Sequence, residues 1–150
     1  MYPTLRPDQH VIVAHDTKSS AMSRGEILVM LDPNQPHNTF VKRVVGLPSD
    51  NLIMQDSSLY LDGKHMIEPY LNGTPSAPGS VYHEWKLKSN EYVVLGDNRS
   101  HSTDSRQFGP IPFEIIVGKV WFRYWPPNQL GHINSKYQAL TKSNLATSLE

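Results

Sequence analysis

The sequence predicts a mainly β protein, built as a barrel or a sandwich of short strands. Apolar and β-branched residues alternate with polar ones over much of the chain, and few stretches repeat with the 3.6-residue period of a helix. Twelve prolines and nine glycines interrupt the 150 residues, which is typical of short strands joined by many turns. A chain of this length can bury one hydrophobic core.

The alternation predicts seven strands, at residues 9–15, 27–32, 39–46, 52–55, 58–61, 92–95 and 116–125. Turn-forming sequences such as RPDQ, DPNQP, GLPSD and LDGK lie between them. Residues 72–80 are rich in glycine and proline and are predicted to form a loop. The better patterned strands indicate one domain over residues 1–125, interrupted by an inserted hairpin and loop region at about 49–90. Residues 126–150 are expected to be a polar C-terminal tail.

Composition excludes several classes of protein and site. Lys plus Arg equals Asp plus Glu at 14 each, so no basic excess favours nucleic-acid binding. The absence of cysteine excludes disulfides, thiolate metal sites and a cysteine nucleophile. The seven histidines show no metal-binding spacing, so no metal site is predicted. The longest apolar run, at 27–31, is far shorter than the ~20 residues that a membrane-spanning helix needs.

The first stretch that could carry chemistry is TFVKRVVGLP, at residues 39–48. On a strand, Lys42 shares a face with Phe40 and Val44, and Arg43 points to the opposite, equally apolar face. One interpretation is a cation on an edge strand, which keeps its head group in water and discourages association of sheets. The other is a desolvated lysine, whose lowered pKa would let the neutral amine act as a general base.

The second stretch is GDNRSHSTDSRQFGPIP, at residues 96–112, which is dense in hydrogen-bonding side chains. It is expected to fold into a structured turn in which Asp104 pairs with Arg106. A catalytic triad of Ser102, His101 and Asp104 is rejected. Triad members meet across a fold, and three neighbours in one tight loop rarely reach the required geometry.

The third stretch is MYPTLRPDQ, at residues 1–9. Pro3 fixes its own φ angle and restricts Tyr2 to extended conformations. Taken alone, this stretch predicts only an ordered turn before the first strand.

In this order and spacing, the three stretches resemble type I signal peptidases, which are membrane-bound serine proteases that remove signal peptides from exported proteins. MYPTL resembles the Ser-Met-x-Pro-Thr-Leu segment of that family, and GDNRSHSTDSRQFGPI is the closest match. RGEILV resembles the Gly-Asp strand motif, with Glu26 where Asp is usual. VKRVVGLPSD resembles the lysine motif, with Ser49 where Gly is common. The resemblance runs from Met1 to about Tyr124.

The resemblance implies a β-rich catalytic domain over residues 1–125 with a Ser–Lys dyad that needs no cofactor. Lys42 matches the general base, and Ser102 matches the serine that helps to orient it. Asp104 and Arg106 match residues that brace the site. Because a neighbouring carboxylate would keep the lysine protonated, Asp104 is expected to pair with an arginine and to leave Lys42 alone.

Met1, Pro3 and Thr4 match the motif that carries the nucleophile. In the family the nucleophilic serine immediately precedes this methionine, and a second serine and the membrane anchor lie further upstream. The resemblance therefore implies that the chain is an N-terminally truncated signal peptidase, inactive as given. An alternative is a homologue without a nucleophile that binds signal peptides by adding them to a strand edge. A third interpretation is a Ser–Lys protease outside signal-peptide processing, of the organelle inner-membrane or conjugation type.

The implied partners are the signal peptides of exported preproteins and the membrane surface, at the outer face of the cytoplasmic membrane. The family accepts small side chains at the first and third positions before the cut, and Val11, Val13 and the Phe40 face are candidates for the pockets. The aromatic stretch WFRYW, at residues 121–125, has two interpretations. It is either a strand that alternates between core and solvent or a patch that rests on the bilayer.

Overall fold

A computed structural model describes residues 1–15, 22–73, 75–76 and 81–133 of the chain. The first strands are β1 (His10–Ala14), β2 (Ile27–Leu31), β3 (Thr39–Gly46), β4 (Asn51–Gln55), β5 (Ser58–Leu61) and β6 (Lys64–His65). They are followed by β7 (Glu84–Lys86), β8 (Glu91–Leu95), β9 (Ile111–Pro112), β10 (Ile116–Trp125) and β11 (Gly131–His132). The helical elements are α1 (Ser105–Phe108) and single 3-10 turns at Pro69–Leu71, Arg99–His101, Phe113–Ile115 and Pro127–Gln129.

The mainly β fold class is confirmed, and each of the seven predicted strands is present with ends that agree to within about one residue. The sequence did not predict β6, β7, β9 and β11. Each of these strands has two or three residues. A strand this short cannot display an alternating pattern, so only its hydrogen-bonding partner defines it.

Two antiparallel sheets make up the fold. The larger has seven strands in the order β1-β10-β2-β3-β8-β9, with β11 also paired to β10. Strand β10 holds this sheet together, because its ten residues pair with β1, β2 and β11. Register shifts interrupt its pairing with β1 and β2, as bulges do where a sheet curves.

The smaller sheet has four strands in the order β6-β5-β4-β7, and all of them fall within the region predicted to be an insertion. Alternation along β4 buries Leu52 and Met54 and exposes the residues between them. These side chains pack with Trp85 and with Val93 and Leu95 of the larger sheet. The smaller sheet is therefore joined to the larger one through a shared apolar cluster.

Strand β3 has one partner along its first half and two along its second. It pairs with β2 from Leu31↔Thr39 to Ile27↔Arg43. Its pairing with β8 begins only at Arg43↔Leu95. In the part of the chain that the structure describes, residues 39–42 thus have no strand on their second edge. Strand β3 as a whole lies inside the sheet, between β2 and β8, so the edge-strand interpretation is wrong for the full strand. Residues 39–42 nevertheless have one unpaired edge, and Lys42 is the last residue of that edge.

The first residues of the predicted tail are attached to the larger sheet. The 3-10 turn at Pro127–Gln129 is followed by β11, and Ile133 is buried against Ile27 and Val120. The rest of the tail, from residue 134, lies outside the described residues, as do positions 74 and 77–80 of the predicted loop. No helix within the described ranges has the length and apolar character needed to cross a membrane.

Candidate active site

Lys42 is the last residue of β3 before β8 covers the second edge of that strand. Its Nζ donates a hydrogen bond of 3.1 Å to the hydroxyl oxygen of Ser102. The same nitrogen lies 4.9 Å from the centre of the Phe40 ring, which confirms that the two side chains share a face. Lys42 is half-buried. Its ammonium group therefore has far less water around it than a surface lysine.

The surroundings of Lys42 favour the neutral amine. Burial lowers its pKa, the charge of Asp104 raises it, and the charge of Arg106 lowers it, which leaves the pKa below the ordinary value of 10.5. The Phe40 ring has two opposite effects on the pKa of Lys42: it excludes water, which lowers the pKa, and its face attracts a cation, which raises it. Since burial is the largest effect, desolvation dominates. A neutral amine in this position can accept a proton from a nearby hydroxyl.

Ser102 lies between Lys42 and Asp104. It accepts from Lys42, and its own hydroxyl hydrogen-bonds to the Asp104 carboxylate. Gly96 makes room for it, because a Cβ atom at Gly96 would lie 2.1 Å from the Ser102 hydroxyl oxygen and 2.6 Å from its Cβ. Any larger residue at Gly96 would push Ser102 away from the lysine.

Asp104 is neutralised by an arginine, as the sequence predicted. The Arg106 side chain donates from Nε to Oδ1 at 2.8 Å and from Nη2 to Oδ2 at 2.9 Å, and both residues are buried. The Gly96 amide also donates to Asp104, at 3.0 Å. No ion pair joins Asp104 to Lys42 among the described residues, and Ser102 separates them. The carboxylate thus orients the serine without holding a proton on the lysine.

The pKa of Asp104 reflects this bonding. Burial alone would raise the pKa of the carboxyl, but hydrogen bonds from Arg106 and Gly96 and the charge of Arg106 outweigh it. The resulting pKa lies below the ordinary value of 3.8. Asp104 is also the N-cap residue of α1. Its side chain accepts from the Arg106 amide, and its own amide donates to the Gln107 side chain, which together form a capping box. The helix start therefore fixes the carboxylate in place.

Arg43, the neighbour of Lys42, is buried on the opposite face of β3. It donates to Asp97 from Nε to Oδ1 at 2.8 Å and from Nη2 to Oδ2 at 2.7 Å, and to the Gly25 carbonyl at 2.7 Å. The hydroxyl of Thr4 donates to the same Asp97 carboxylate. This contact ties the N-terminal turn to the strand of the lysine. The sequence does not predict a site role for Asp97, because its partner Arg43 lies 54 positions away.

A second buried cluster joins the polar loop to the smaller sheet. Arg99 donates to Glu68 and to Ser76, and all three lie in the interior or at its margin. The ring of Tyr70 lies 4.1 Å from the guanidinium carbon of Arg43 and 6.0 Å from that of Arg99. Cations over a ring face are attracted to it. Nothing in the sequence pattern indicated this cluster, because Glu68 and Tyr70 lie in irregular segments.

The N-terminal turn closes against β3. The Leu5 amide donates to the Met1 carbonyl at 3.0 Å, and the side chains of Met1 and Leu5 pack against the buried cluster of Ile27, Val120 and Ile133. The pKa of the Met1 α-amino group is lowered first by burial and then by the positive charge of Lys42, and it lies below the ordinary value of 8.0. The positive charge of Lys42 therefore contributes to the electrostatic surroundings of the Met1 amino group.

A cavity of about 380 Å³ lies between this turn and residues 39–41. Val11 and Phe40, two of the predicted pocket residues, line it together with Met1 and Leu5. Val13 does not line this cavity and packs with the Val120 cluster instead. Thr39, Phe40 and Val41, which precede Lys42 on β3, form the side of the cavity that faces the N-terminal turn.

The histidine of the polar loop takes no part in a triad. The Nδ1 atom of His101 lies 2.9 Å from the hydroxyl of Ser100, whereas Ser102 is engaged with Lys42. In the described ranges, no three His, Asp or Glu side chains are grouped closely enough to hold a metal ion.

The aromatic stretch at the end of β10 is largely exposed. Trp121, Tyr124 and Trp125 expose 44%, 47% and 47% of their surface. Simple alternation between core and solvent would bury every second residue, and here three of five are exposed. Ile12 of β1, which is 40% exposed, lies opposite Phe122 in the same sheet. The end of the larger sheet therefore presents an apolar surface, called the aromatic patch below.

These features define a class of protein: a β-sheet protein with a strand edge open to an extended peptide and a desolvated lysine at the end of that edge. Residues 1–125 match the family described as signal peptidase, peptidase S26. Signal peptidase IB of Staphylococcus aureus is 35% identical over 148 residues, an alignment that covers 88% of this chain and 76% of that protein. The chain belongs to the signal peptidase I family.

Other relatives agree with this assignment. The probable signal peptidase I-2 of Synechocystis sp. is 33% identical over 137 residues, covering 87% of this chain and 62% of that protein. The chain thus spans less than two thirds of this relative. The crystal structure of a signal peptidase I from Enterococcus faecalis superposes with a TM-score of 0.56 at 25% identity, covering 67% of this chain and 97% of that one.

Replacing Gly96 tests whether Ser102 is held by close approach. We expect Gly96→Ala to lower the free energy of unfolding by about 2 kcal/mol, because the new methyl group overlaps Ser102. The double variant Gly96→Ala/Ser102→Gly should recover at least half of that loss, because the second change removes the overlapping atoms. Urea unfolding of the four chains measures both effects. A fully additive double variant would contradict this account of Gly96.

Replacing Lys42 tests its desolvation. Lys42→Met should stabilise the 150-residue chain at neutral pH, raising Tm by about 2 to 4 °C, because the apolar site disfavours the ammonium. A lysine with a lowered pKa binds fewer protons in the folded than in the unfolded state, so the parent gains stability as pH rises. The difference in Tm should therefore shrink as pH approaches 10.5. The exposed Lys64→Met is the control and should show no such trend; an equal trend at both sites would refute the desolvation of Lys42.

Proposed function

We propose that this protein is a signal peptidase I that cleaves signal peptides with Lys42 as general base. The observation that carries the proposal is the state of Lys42: half-buried, with a lowered pKa, bonded to Ser102 and not paired with Asp104. A surface lysine would be protonated at neutral pH and unable to accept a proton. The family membership supports the same function.

The nucleophile in this proposal is a serine joined to the amino group of Met1 in the longer protein. The match of MYPTL to the segment that follows this serine in the family supports the assignment, and the N-terminal turn lies beside residues 39–41 of β3, across a shared cavity. The chain as given supplies the base and lacks the nucleophile, so we expect it to be inactive. Thr4 and Pro3 then serve to fix the turn that presents the serine, Thr4 through its bond to Asp97.

The reaction follows from these groups. The neutral Lys42 amine takes the proton of the serine hydroxyl while the serine oxygen attacks the carbonyl carbon of the scissile peptide bond. The lysine then gives that proton to the departing amine, which frees the mature protein and leaves an ester on the serine. Water attacks the ester with Lys42 again as base, and the acid product and free serine result. Ser102 keeps the lysine nitrogen directed towards this position throughout.

The substrate is proposed to bind as an added strand along residues 39–42, whose second edge is open. The cavity beside this edge, lined by Met1, Leu5, Val11 and Phe40, would receive the side chains before the cut. These four side chains form an apolar part of its wall, which suits the small side chains that the family accepts. A peptide held in this way ends its hydrogen bonding with β3 at the lysine.

Cleavage by the longer protein tests this function. With the segment before Met1 present, it should cleave a preprotein at its signal peptide, and Lys42→Met should reduce kcat/KM by about 10⁴-fold or more. For the active enzyme, kcat/KM should rise with pH through the lowered pKa of Lys42, because only the neutral amine is a base. The 150-residue chain should not cleave. Activity that survives Lys42→Met would refute the dyad.

The same assay separates the alternatives. A homologue that only binds signal peptides would hold the preprotein without cutting it, even with the upstream segment restored. A Ser–Lys protease outside signal-peptide processing would cleave a different panel of substrates and leave preproteins intact. Only cleavage at the signal-peptide boundary agrees with the proposed function.

We also propose that the aromatic patch rests on the outer face of the cytoplasmic membrane. In this proposal a membrane anchor upstream of Met1 holds the protein there. Tryptophan and tyrosine are favoured at the membrane interface, and the patch exposes both.

Ile12→Ser tests this surface. It should weaken binding to phosphatidylglycerol-containing vesicles by about threefold to tenfold, because it removes an apolar contact with the lipid. Ile53→Ser is a matched control, since Ile53 is 39% exposed but lies on the smaller sheet. Equal binding of both variants in a sedimentation assay would contradict this surface.

A further inference from the structure

The open edge of β3 ends abruptly. A peptide bonded to residues 39–42 cannot continue along β3, because β8 pairs with that edge from Arg43 onward. The chain beyond the cut must therefore leave the sheet at Lys42. What lies there is the loop that follows β8, beginning with Asp97 and Asn98.

A second cavity, of about 400 Å³, opens over this loop. It shares Tyr2, Asn98 and His101 with the cavity beside residues 39–41. These three residues thus form a ridge between two adjoining cavities. One cavity borders residues 39–41 of β3, and the other borders the loop whose Ser102 is bonded to Lys42.

We propose that this second cavity binds the segment that follows the cleaved bond, the first residues of the mature protein. The inference rests on the proposed function and adds a binding site to it. The ridge of Tyr2, Asn98 and His101 then lies under the scissile region, with the two parts of the substrate on either side.

The walls of this cavity determine which residues it accepts. Pro3 and Leu71 give it apolar surface, while Asn72 and Ser100 offer uncharged hydrogen-bonding groups. Asp97 also borders it, but its carboxylate is buried and neutralised by Arg43. The cavity therefore offers amide and hydroxyl groups with little net charge, which suits short polar side chains and peptide groups.

One wall comes from the region of the smaller sheet and is held firmly. Leu71 and Asn72 end the 3-10 turn that starts at Pro69. In the same turn, Tyr70 packs against the guanidinium groups of Arg43 and Arg99. The inserted region thus builds part of a substrate site, and the buried cluster keeps that part in position.

Asn72→Asp tests the site by adding one negative charge to the cavity. Asn72 has a φ of 49°, a left-handed conformation that aspartate tolerates, so the backbone should be unchanged. In the longer protein, two substrates are compared that differ only in a lysine or a glutamine at the second residue after the cut. We expect the kcat/KM ratio of lysine to glutamine to rise about fivefold at low salt and to fall back as salt is added.

Ser49→Asp is the matched control, because Ser49 is exposed, has a φ of 70° and lines neither cavity. It should leave the ratio unchanged. Ser100→Asp, at an exposed position in the same cavity, should raise the ratio as Asn72→Asp does and serves if the latter fails to fold.

The outcomes separate the two proposals. If the longer protein cleaves but both cavity variants match Ser49→Asp, the second cavity does not bind this segment and the inference is wrong. A change in preference only for residues before the cut would also overturn it. If the parent protein cleaves neither substrate nor any other preprotein, the proposed function itself fails.

Discussion

The site depends on removing Lys42 from water without giving it a carboxylate partner. An ammonium in a poorly hydrated place loses its proton readily, whereas an ion pair would restore the charge. Asp104, the carboxylate whose charge acts on Lys42, is kept occupied by two side-chain bonds and one backbone bond from Arg106 and by one from the Gly96 amide. Ser102 fills the remaining space between carboxylate and amine. The helix cap at Asp104 and the missing side chain at Gly96 both serve this one arrangement.

Two adjacent cations in β3 have opposite surroundings because their chemistry differs. Arginine cannot lose its proton in a protein, so a buried guanidinium must be paired. Arg43 accordingly has a bidentate aspartate and a carbonyl. Lysine can lose its proton, so Lys42 can be desolvated beside the Ser102 hydroxyl and the Phe40 ring, with no ion-pair partner among the described residues. Side chains alternate along a strand, so Arg43 and Lys42 lie on opposite faces of β3. The Arg43–Asp97 pair can therefore anchor the N-terminal turn without engaging Lys42.

The pairing of β3 links this chemistry to the proposed binding of a peptide. Because β8 begins to pair only at Arg43, the strand offers an open edge that ends at the lysine. An extended peptide on that edge would meet the amine at the point where its hydrogen bonding with the sheet stops. The second cavity adjoins the cavity beside this edge through Tyr2, Asn98 and His101. The inserted region at about 49–90 supplies a wall of that cavity through Leu71 and Asn72, which end the 3-10 turn between β6 and β7.

The sequence by itself determined the seven longer strands, because alternation is a local property that survives in any partner arrangement. It also identified the lysine strand and the Asp104–Arg106 pair, whose members are two residues apart. Only the tertiary structure decided which cation of β3 is paired and which is left to lose its proton. The Arg43–Asp97 and Arg99–Glu68 contacts join residues 54 and 31 positions apart, and they depend on how the strands are ordered in the sheets. No local pattern encodes that order, so the state of Lys42 and the end of its open edge emerge only from the fold.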